Sequence, residues 1–245
     1  MSPYLAEFIG TTLLLVFGNG VVANVVLART KGNGSGWIVI TAGWAFAVFI
    51  GAFCSAAASG AHLNPAVTIA MAAAGKLTGD KVVGYIAAQM LGGIVGGALV
   101  YFFYREHFKV STDADGKLAC FCTAPNIRNL PQALFCEIVG TFCLILPIFL
   151  MTPVSMKLAG VESAEVGLGS IGLIPVALLV FAIGLSLGGT TGYAINPARD
   201  LGPRIAHALL PIPGKRDPDW SYAWVPVVGP IVGGLLAALA NYVIH

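Results

Sequence analysis

Charged residues are scarce in this chain, since Asp, Glu, Lys and Arg make up only 10% of its 245 residues. A soluble globular domain carries about 25% charged residues, so the composition excludes an ordinary soluble domain. The formal net charge of +2 is too small to indicate a nucleic-acid partner. Hydrophobic residues make up 57% of the chain instead, which is typical of a protein that lies mostly within a lipid bilayer.

Metal-binding and catalytic clusters are also lacking among the four His and five Cys. Cys120 and Cys122 are neighbours in a loop, but no further Cys or His completes a four-ligand site around them. His107, His207 and His245 are scattered in predicted loops and at the C-terminus, away from any nucleophile or metal-ligand set. The sequence therefore predicts no metal, no cofactor and no enzymatic activity.

Long apolar runs are what the sequence does contain. Tyr4–Ala28 carries a single charged residue, Glu7, and Trp37–Ala61 carries none. About 20 such residues cross a bilayer as a helix. The first run lacks the basic start and small-residue cleavage site of a signal peptide, so we interpret it as a retained span. Six spans are predicted, at roughly 4–28, 37–60, 82–104, 132–152, 168–189 and 222–244.

The connections between the spans fall into two kinds. Two apolar stretches, 64–75 and 196–210, are too short to cross a bilayer of about 30 Å, and each begins with Asn-Pro-Ala. The longest connection, 105–131, is rich in charge and is predicted to be a solvated loop. Its charged residues include Arg105, Lys109, Asp113, Asp115, Lys117 and Arg128.

An internal repeat organises these segments. Three short motifs return in the same order after 130 to 137 residues, which favours duplication over chance similarity. Each half then holds three spans and one short stretch, and because three is odd, the second half must enter the membrane from the opposite side. We therefore predict a single transmembrane domain, residues 1–245, built from inverted repeats at about 1–104 and 132–245. The motif pairs are Glu7–Thr11 with Glu137–Thr141, Asn64–Ala66 with Asn196–Ala198, and Gly92–Gly97 with Gly229–Gly234.

The Asn-Pro-Ala triplets indicate a pore. Asn is a preferred helix N-cap and Pro suits the first helical turn, so Asn64 and Asn196 each begin a half-helix whose positive dipole end points to mid-membrane. We expect the two side-chain amides to donate to a small uncharged solute there, and the field to repel cations and protons. Irregular backbone at this depth must be buried or must face water. The carbonyls predicted to line the pore are those of Gly60, Ala61, His62, Leu63, Gly192, Ala194 and Ile195.

At these residues the chain resembles the major intrinsic protein family of aquaporins and glycerol facilitators. Ser59–Thr68 is similar to the family's first signature and Thr191–Asp200 to its second. The resemblance covers essentially the whole chain and implies an all-α membrane protein, with six transmembrane helices and two re-entrant half-helices around one pore. It also implies homotetramers in the lipid bilayer, with a pore in each subunit.

Two signals disagree on the orientation of the chain in the cell membrane. The resemblance implies that both termini are cytoplasmic, whereas the positive-inside rule favours the opposite orientation. We adopt the orientation of the family, because the rule is statistical and the terminal tails carry almost no charge. It places Lys76, Lys81 and Lys157 inside and Arg29, Lys31, Lys215 and Arg216 outside.

By the same resemblance, the narrowest point of the pore falls on Trp44, Gly184, Tyr193 and Arg199. Arg199 offers fixed donors, the two aromatic faces suit a carbon chain, and Gly184 leaves space, so we predict a filter for glycerol and water. Val48, one helical turn from Trp44, extends the apolar wall in this prediction. Water-selective relatives place a His at the Gly184 position. The common glycerol filter has Phe instead of Tyr193, so glycerol, dihydroxyacetone, urea and undissociated lactic acid all stay open as solutes.

A few polar residues inside the apolar segments need separate interpretation. Glu7 and Glu137 lie in predicted spans, where a carboxylate is a functional candidate. The resemblance implies that they brace the re-entrant loops by accepting backbone N–H bonds; a proton relay, as in a secondary transporter, is the alternative. His62 either lines the pore or donates to the backbone. Asp200 and Arg204 are four residues apart and are expected to pair on the half-helix surface.

Overall fold

The computed structural model describes residues 1–152, 154–158, 161–165 and 167–245. Among these residues, six helices are long and apolar enough to cross a membrane, which confirms the predicted all-α membrane fold. In chain order the helices are α1 (Pro3–Val26), α2 (Trp37–Ser59), α3 (Pro65–Ala73), α4 (Gly79–Phe103), α5 (Arg105–Val110), α6 (Ala114–Ala119), α7 (Leu130–Leu150), α8 (Ile174–Leu187), α9 (Pro197–Leu209) and α10 (Val225–Ile244). A 3-10 turn, Gly169–Leu173, precedes α8 and continues its span.

The spanning helices form one bundle around the two half-helices. Helix α1 packs against α2 and α4, α7 packs against α10, and α2 packs against α8. Helices α3 and α9 have 9 and 13 residues, so at 1.5 Å per residue they are about 14 and 20 Å long. Neither length reaches across a hydrocarbon core of about 30 Å, so each half-helix begins inside the protein, at a buried asparagine, and ends at an exposed residue.

Glycines let each half-helix approach a spanning helix closely. A Cβ added to Gly93 of α4 would lie 2.5 Å from the carbonyl oxygen of Ala198 in α9. A Cβ added to Gly234 of α10 would lie 3.0 Å from the carbonyl oxygen of Ala66 in α3. The small residues at these two crossings thus allow the backbones to come into contact, which fixes where the first turn of each half-helix lies.

The connection 105–131 is not a solvated loop, and this prediction was wrong. It forms helices α5 and α6, and its side chains Phe108, Phe121, Cys120 and Cys122 are buried in a cluster with residues of α1, α4 and α9. The apolar residues of this segment pack on the bundle, while most of its charged side chains stay at the surface. The segment is therefore a cover over one end of the bundle.

The cysteines of this cover are structural. Both Cys120 and Cys122 are free and buried, and burial raises the pKa of each thiol. No group of three or more His, Cys, Asp and Glu residues capable of holding a metal occurs in the part of the chain that the structure describes. The pair thus packs as two small apolar side chains.

The ion pair between Asp200 and Arg204 is buried and does not lie on the half-helix surface as expected. Arg204 Nη2 lies 2.8 Å from Asp200 Oδ1, and both side chains are fully buried. Thr123 of the cover donates its backbone N–H and its hydroxyl to Asp200 Oδ2, both at 2.7 Å, and its carbonyl accepts from Arg204 at 2.8 Å. A buried pair persists when such bonds satisfy its remaining atoms. The sequence spacing could not show this burial, because Thr123 belongs to a distant segment.

A short antiparallel hairpin is an element that the sequence did not predict. Strands β1 (Ser155–Leu158) and β2 (Val161–Glu165) pair between α7 and the 3-10 turn, with Ser155 opposite Glu165. The hairpin lies between two spans and is part of neither, so it leaves the helical membrane fold unchanged.

Candidate functional site

Both Asn-Pro-Ala triplets begin a helix, with the asparagine at the N-cap. Asn64 Oδ1 accepts the backbone N–H of Ala66 at 2.9 Å. Asn196 Oδ1 accepts those of Ala198 and Arg199 at 2.9 and 3.1 Å. Each proline follows at the first helical position, where its missing N–H leaves no bond unmade. These local bonds orient both asparagine amides in the same way at the starts of the two half-helices.

The two caps meet through a pair of reciprocal bonds. Asn64 Nδ2 donates to the carbonyl of Ile195 at 2.8 Å, and Asn196 Nδ2 donates to the carbonyl of Leu63, also at 2.8 Å. A side-chain amide has two N–H groups, so each asparagine keeps one further donor. The two bonds join the N-terminal ends of the half-helices. Both asparagines line the same cavity, so two N–H donors are available to a solute in that cavity.

The backbone before each triplet is held in the left-handed region. Residues with positive φ of this kind are uncommon outside glycine, and for a β-branched side chain they are strained. Ile195, at a φ of 44°, is the most demanding case. The same alternation occurs at corresponding positions of the two segments: Gly60 (82°), Ala61 (53°) and Leu63 (51°) match Gly192 (81°), Tyr193 (38°) and Ile195. Such a conformation persists only where surrounding bonds fix it.

Two buried carboxylates supply those bonds. Glu7 accepts the backbone N–H groups of His62 and Leu63 at 2.9 and 2.6 Å. Glu137 accepts those of Ala194 and Ile195 at 3.0 and 2.8 Å. Both glutamates are fully buried, and each also accepts a hydroxyl, from Ser59 at 2.6 Å or from Thr191 at 2.7 Å. Each strained segment is thus pinned by a carboxylate from a spanning helix.

The first segment has an additional polar network. Gln89 Nε2 donates to Glu7 at 2.8 Å and to the hydroxyl of Thr68 at 2.9 Å. The same hydroxyl lies 3.1 Å from Nδ1 of His62, and His62 lines the cavity that holds the asparagines. Of the two alternatives considered for His62, its side chain lines this cavity, where its ring contacts the Thr68 hydroxyl and not a backbone carbonyl. Its backbone N–H donates to the carboxylate of Glu7.

Two cavities enter the protein and meet at three side chains. The outer cavity, of about 1100 Å³, lies under the cover of residues 105–131 and is lined by Asn126, Gly192 and others. The inner cavity, of about 450 Å³, contains both cap asparagines and the backbone of residues 60–63 and 194–195. The lining residues common to both cavities are Trp44, Tyr193 and Arg199. These three residues form the constriction between the cavities.

The constriction combines a cation with aromatic rings. Arg199 Cζ lies 4.0 Å from the ring centroid of Trp44, a cation–π contact. Within the described residues, the guanidinium group makes no hydrogen bond, although the backbone N–H of Arg199 donates to Asn196. Several N–H donors of Arg199 consequently remain unpaired beside the lumen, while the Trp44 and Tyr193 rings offer apolar faces.

Gly184 contributes to the constriction indirectly. It lines neither cavity, and a Cβ added there would lie 3.0 Å from Cζ and Oη of Tyr193 and 2.8 Å from Cγ2 of Thr41. The room that the glycine leaves is thus filled by the Tyr193 ring. The Tyr193 hydroxyl is buried and has no partner among the described residues; it points behind the wall, away from the lumen.

Comparison with known proteins identifies the family. A model of the family described as major intrinsic protein matches residues 1–241. The chain belongs to the major intrinsic protein family. It is 54% identical to a probable glycerol uptake facilitator protein of Thermotoga maritima over 97% of each chain. It is 50% identical to the glycerol uptake facilitator protein of Streptococcus pneumoniae strain R6, over 98% of this chain and 97% of the other.

A solved structure of the same family agrees in fold. The X-ray structure of the aquaglyceroporin from Plasmodium falciparum matches with a TM-score of 0.80 at 31% identity, over 98% of this chain and 95% of that one. None of these names describes an enzyme. This major intrinsic protein is therefore a multi-pass membrane protein whose named relatives are transport proteins.

Several lumen residues of this major intrinsic protein were missed by sequence reasoning. An apolar residue in an apolar span gives no signal of facing a lumen, so only Val48 was singled out. The internal repeat offered one usable signal, because Val67 stands three residues after Asn64 just as Arg199 stands three after Asn196. The apolar residues that line the inner cavity include Leu14, Val48, Ala52, Val67, Met71, Leu144, Ile148, Val176 and Val180.

Proposed function

We propose that this major intrinsic protein is a passive channel for glycerol, water and other small uncharged solutes, and that it excludes ions and protons. The observation that carries the proposal is the junction of the outer and inner cavities at Trp44, Tyr193 and Arg199. A solute entering from either end reaches these side chains, which combine the unpaired donors of Arg199 with the aromatic rings of Trp44 and Tyr193. That arrangement fits a polyol, which has hydroxyls on one edge and C–H groups on the other.

Glycerol is the solute that the relatives support. Two relatives match over nearly the whole chain, one from Thermotoga maritima and one from Streptococcus pneumoniae. Both are named as glycerol uptake facilitators, the first as a probable one. Beyond the constriction, the inner cavity again combines polar and apolar groups. Its lining includes both asparagines and residues 60–63, together with apolar side chains such as Val48 and Val180.

Exclusion of cations and protons follows from fixed positive charge along this path. Helices α3 and α9 both direct their N-termini to the asparagines, each equivalent to roughly half a positive charge. Arg199, which stays charged at all ordinary pH values, adds a full charge at the narrowest point. The described lining of the inner cavity holds no carboxylate, and the carboxylates of the outer cavity, Asp115, Asp217 and Asp219, lie before the constriction. A cation would therefore have to pass both charges without a carboxylate to replace its hydration.

The two buried glutamates support passive flux over proton-coupled transport. Neither Glu7 nor Glu137 lines either cavity, and both carboxyl oxygens of each one accept bonds from the protein. Protonating such a carboxylate would release the strained backbone that it holds. A proton carrier instead needs a site that opens to the solute path, and these groups are closed off from it.

The proposal extends to assembly and orientation. The family resemblance supports a homotetramer in the cell membrane, with a pore in each subunit and both termini in the cytoplasm. In this orientation the outer cavity faces the exterior and the inner cavity opens to the cytoplasm. Chemical cross-linking in native membranes tests the tetramer, and protease access to a C-terminal tag in sealed vesicles tests the orientation.

The main experiment uses purified protein in liposomes under osmotic shock. Sucrose should cause fast water efflux, and glycerol should cause shrinkage followed by fast re-swelling, both without any ion or pH gradient. A pH dye trapped in the same liposomes should report no proton leak above that of empty liposomes. Glycerol entry that requires a proton gradient would overturn the channel and favour a secondary transporter.

A further inference from the structure

Trp37 lies behind the constriction, in a position that no sequence motif marks. It is the first residue of α2, it lines the outer cavity, and its side chain meets the Tyr193 ring edge to face, with centroids 5.9 Å apart and an interplanar angle of 78°. Edge-to-face pairs of this kind stabilise each other beyond their buried area. Trp37 therefore touches a ring that forms the narrowest point of the proposed pore.

The indole is itself anchored to the next helix. Its Nε1–H donates to the carbonyl of Gly184 at 2.9 Å. Gly184 lies in the last turn of α8, where helix carbonyls have no partner within the helix. Trp37 thus satisfies a buried carbonyl and is oriented by it, so the α2 residue is tied to α8 next to Tyr193.

The Tyr193 ring has few other restraints. Its hydroxyl makes no hydrogen bond within the described residues, and its backbone is in the left-handed region at a φ of 38°. The ring lies between Trp37, Gly184 and Gly188, where a Cβ added to Gly188 would come 2.5 Å from Tyr193 Cδ1 and 2.8 Å from Trp37 Cζ2. Its orientation is therefore set by packing, and Trp37 supplies to that packing a large side chain that is itself held by a hydrogen bond.

We propose that Trp37 is a positioning residue for solute selectivity, which holds the Tyr193 ring at the width that admits glycerol. This inference rests on the proposed glycerol channel. Removal of the indole lets the Tyr193 ring tilt, so its apolar face is no longer fixed where the carbon chain of the solute passes. Water, which needs no apolar face, passes a displaced ring far more easily than glycerol does.

An interfacial anchor is the other role open to an exposed tryptophan. Trp37 is 40% exposed, and Trp224, at the N-cap of α10, is 44% exposed. Trp224 lines neither cavity, so it provides a matched control. An anchoring role predicts equal effects of replacing the two residues, whereas a positioning role predicts an effect on selectivity at Trp37 alone.

The test measures water and glycerol permeability of the same liposomes for wild type, Trp37→Ala, Trp37→Phe and Trp224→Ala. The ratio of the two permeabilities is independent of how much protein is folded, so a merely structural defect does not move it. We expect Trp37→Ala to lower the glycerol-to-water ratio about three- to tenfold, from the energy of an aromatic pair. Trp37→Phe keeps a ring and should lower it less, and Trp224→Ala should leave it unchanged.

A double-mutant cycle tests whether Trp37 acts through Tyr193. We expect Trp37→Ala to change the ratio strongly in wild type and very little in Tyr193→Ala, because contacting residues that act together are not additive. Equal effects of Trp37→Ala in both backgrounds, or an unchanged ratio in Trp37→Ala, would overturn the inference and leave the channel standing. If Trp37→Ala gives no folded protein, Trp37→Phe with and without Tyr193→Ala decides. Wild-type liposomes that do not re-swell in glycerol would overturn the proposed function itself.

Discussion

The two re-entrant segments of this protein share a backbone but differ in the side chains that flank each cap asparagine. Three residues before and three after Asn64 stand Ala61 and Val67, whereas Tyr193 and Arg199 stand at the same distances from Asn196. The caps, the left-handed φ angles and the carboxylate braces match between the segments. Two of the three side chains that form the constriction, Tyr193 and Arg199, therefore come from one copy of a common scaffold, and Trp44 of α2 supplies the third.

This difference in side chains gives the two re-entrant segments different roles. Ala61 and Val67 of the first segment line only the inner cavity, whereas Tyr193 and Arg199 of the second segment lie where the two cavities meet. The backbone that both segments share contains the strained left-handed residues, and the N-termini of the two half-helices supply the positive field at the centre. Stability should thus depend on both segments equally, whereas selectivity should depend on the second one alone.

The largest effect should come from breaking the shared part. Glu7→Ala and Glu137→Ala each leave two buried backbone N–H groups unpaired, at about 1–3 kcal/mol for each group, and release a strained segment. We expect each variant to lose about 2–6 kcal/mol of stability, seen as lost monodisperse protein in detergent and a lower melting temperature. A wild-type melting temperature for either one would show that the two braces are not equivalent.

The second-largest effect should come from replacing a residue of the second segment with its counterpart in the first. Arg199→Val removes the unpaired donors and the charge, and charge-assisted hydrogen bonds contribute about 1.5–3 kcal/mol. Glycerol flux should fall about tenfold or more relative to water, and the trapped pH dye should report a proton leak. Val67→Ala, at the matching place in the first segment, should change neither quantity. Proton exclusion that survives Arg199→Val would assign the barrier to the half-helix dipoles alone.

A smaller effect should follow from filling the space behind the Tyr193 ring. The Cβ of Gly184→Ala would meet Tyr193 and Thr41 at 3.0 and 2.8 Å, so the ring must move toward the lumen. We expect glycerol flux to fall severalfold and water flux to fall less, with Gly184→His suppressing glycerol more strongly. Gly189→Ala has open space around its added Cβ and should match wild type. Equal losses of water and glycerol in both Gly184 variants would argue against this constriction.

The smallest effect is expected at the Tyr193 hydroxyl. Since this hydroxyl is buried without a partner among the described residues, Tyr193→Phe removes a desolvated polar group and leaves the lumen surface unchanged. We expect glycerol and water fluxes to stay within about twofold of wild type and stability to rise by about 1 kcal/mol. A large change in flux would mean that the hydroxyl turns into the lumen during conduction.

The sequence could predict those parts of the fold and site that depend on local spacing. Apolar runs gave the spans, and the caps at Asn64 and Asn196 follow from bonds to residues two or three positions away. The family resemblance pointed to Trp44, Tyr193 and Arg199, which the structure brings together, while their role as a filter stays a prediction until fluxes are measured. Motif spacing could not show that Gly184 lies behind Tyr193, since that depends on how α8 packs against the second segment.

Long-range packing accounts for the errors and the omissions. The prediction for the cover of residues 105–131 was wrong because its many charged residues indicated a solvated loop. Its apolar residues are buried against α1, α4 and α9, and that packing cannot be read from the sequence. The burial of the Asp200–Arg204 pair depends on Thr123, 77 residues away from Asp200. Trp37 stood out in no motif, because its partner Gly184 is 147 residues distant. In each case the deciding contact joins segments whose spacing in the chain carries no signal.

The reciprocal bonds between the two caps also constrain how the chain is made. The Asn64 amide donates to the carbonyl of Ile195, 131 residues later in the chain. The carbonyl of Leu63 accepts from Asn196, 133 residues later. While the ribosome is still making the second half, the first re-entrant segment has neither partner. Until then, the amide of Asn64 and the carbonyl of Leu63 need water or another polar partner in place of these bonds. Closure of the pore is thus a late event of biosynthesis, and a chain truncated before Asn196 cannot complete it.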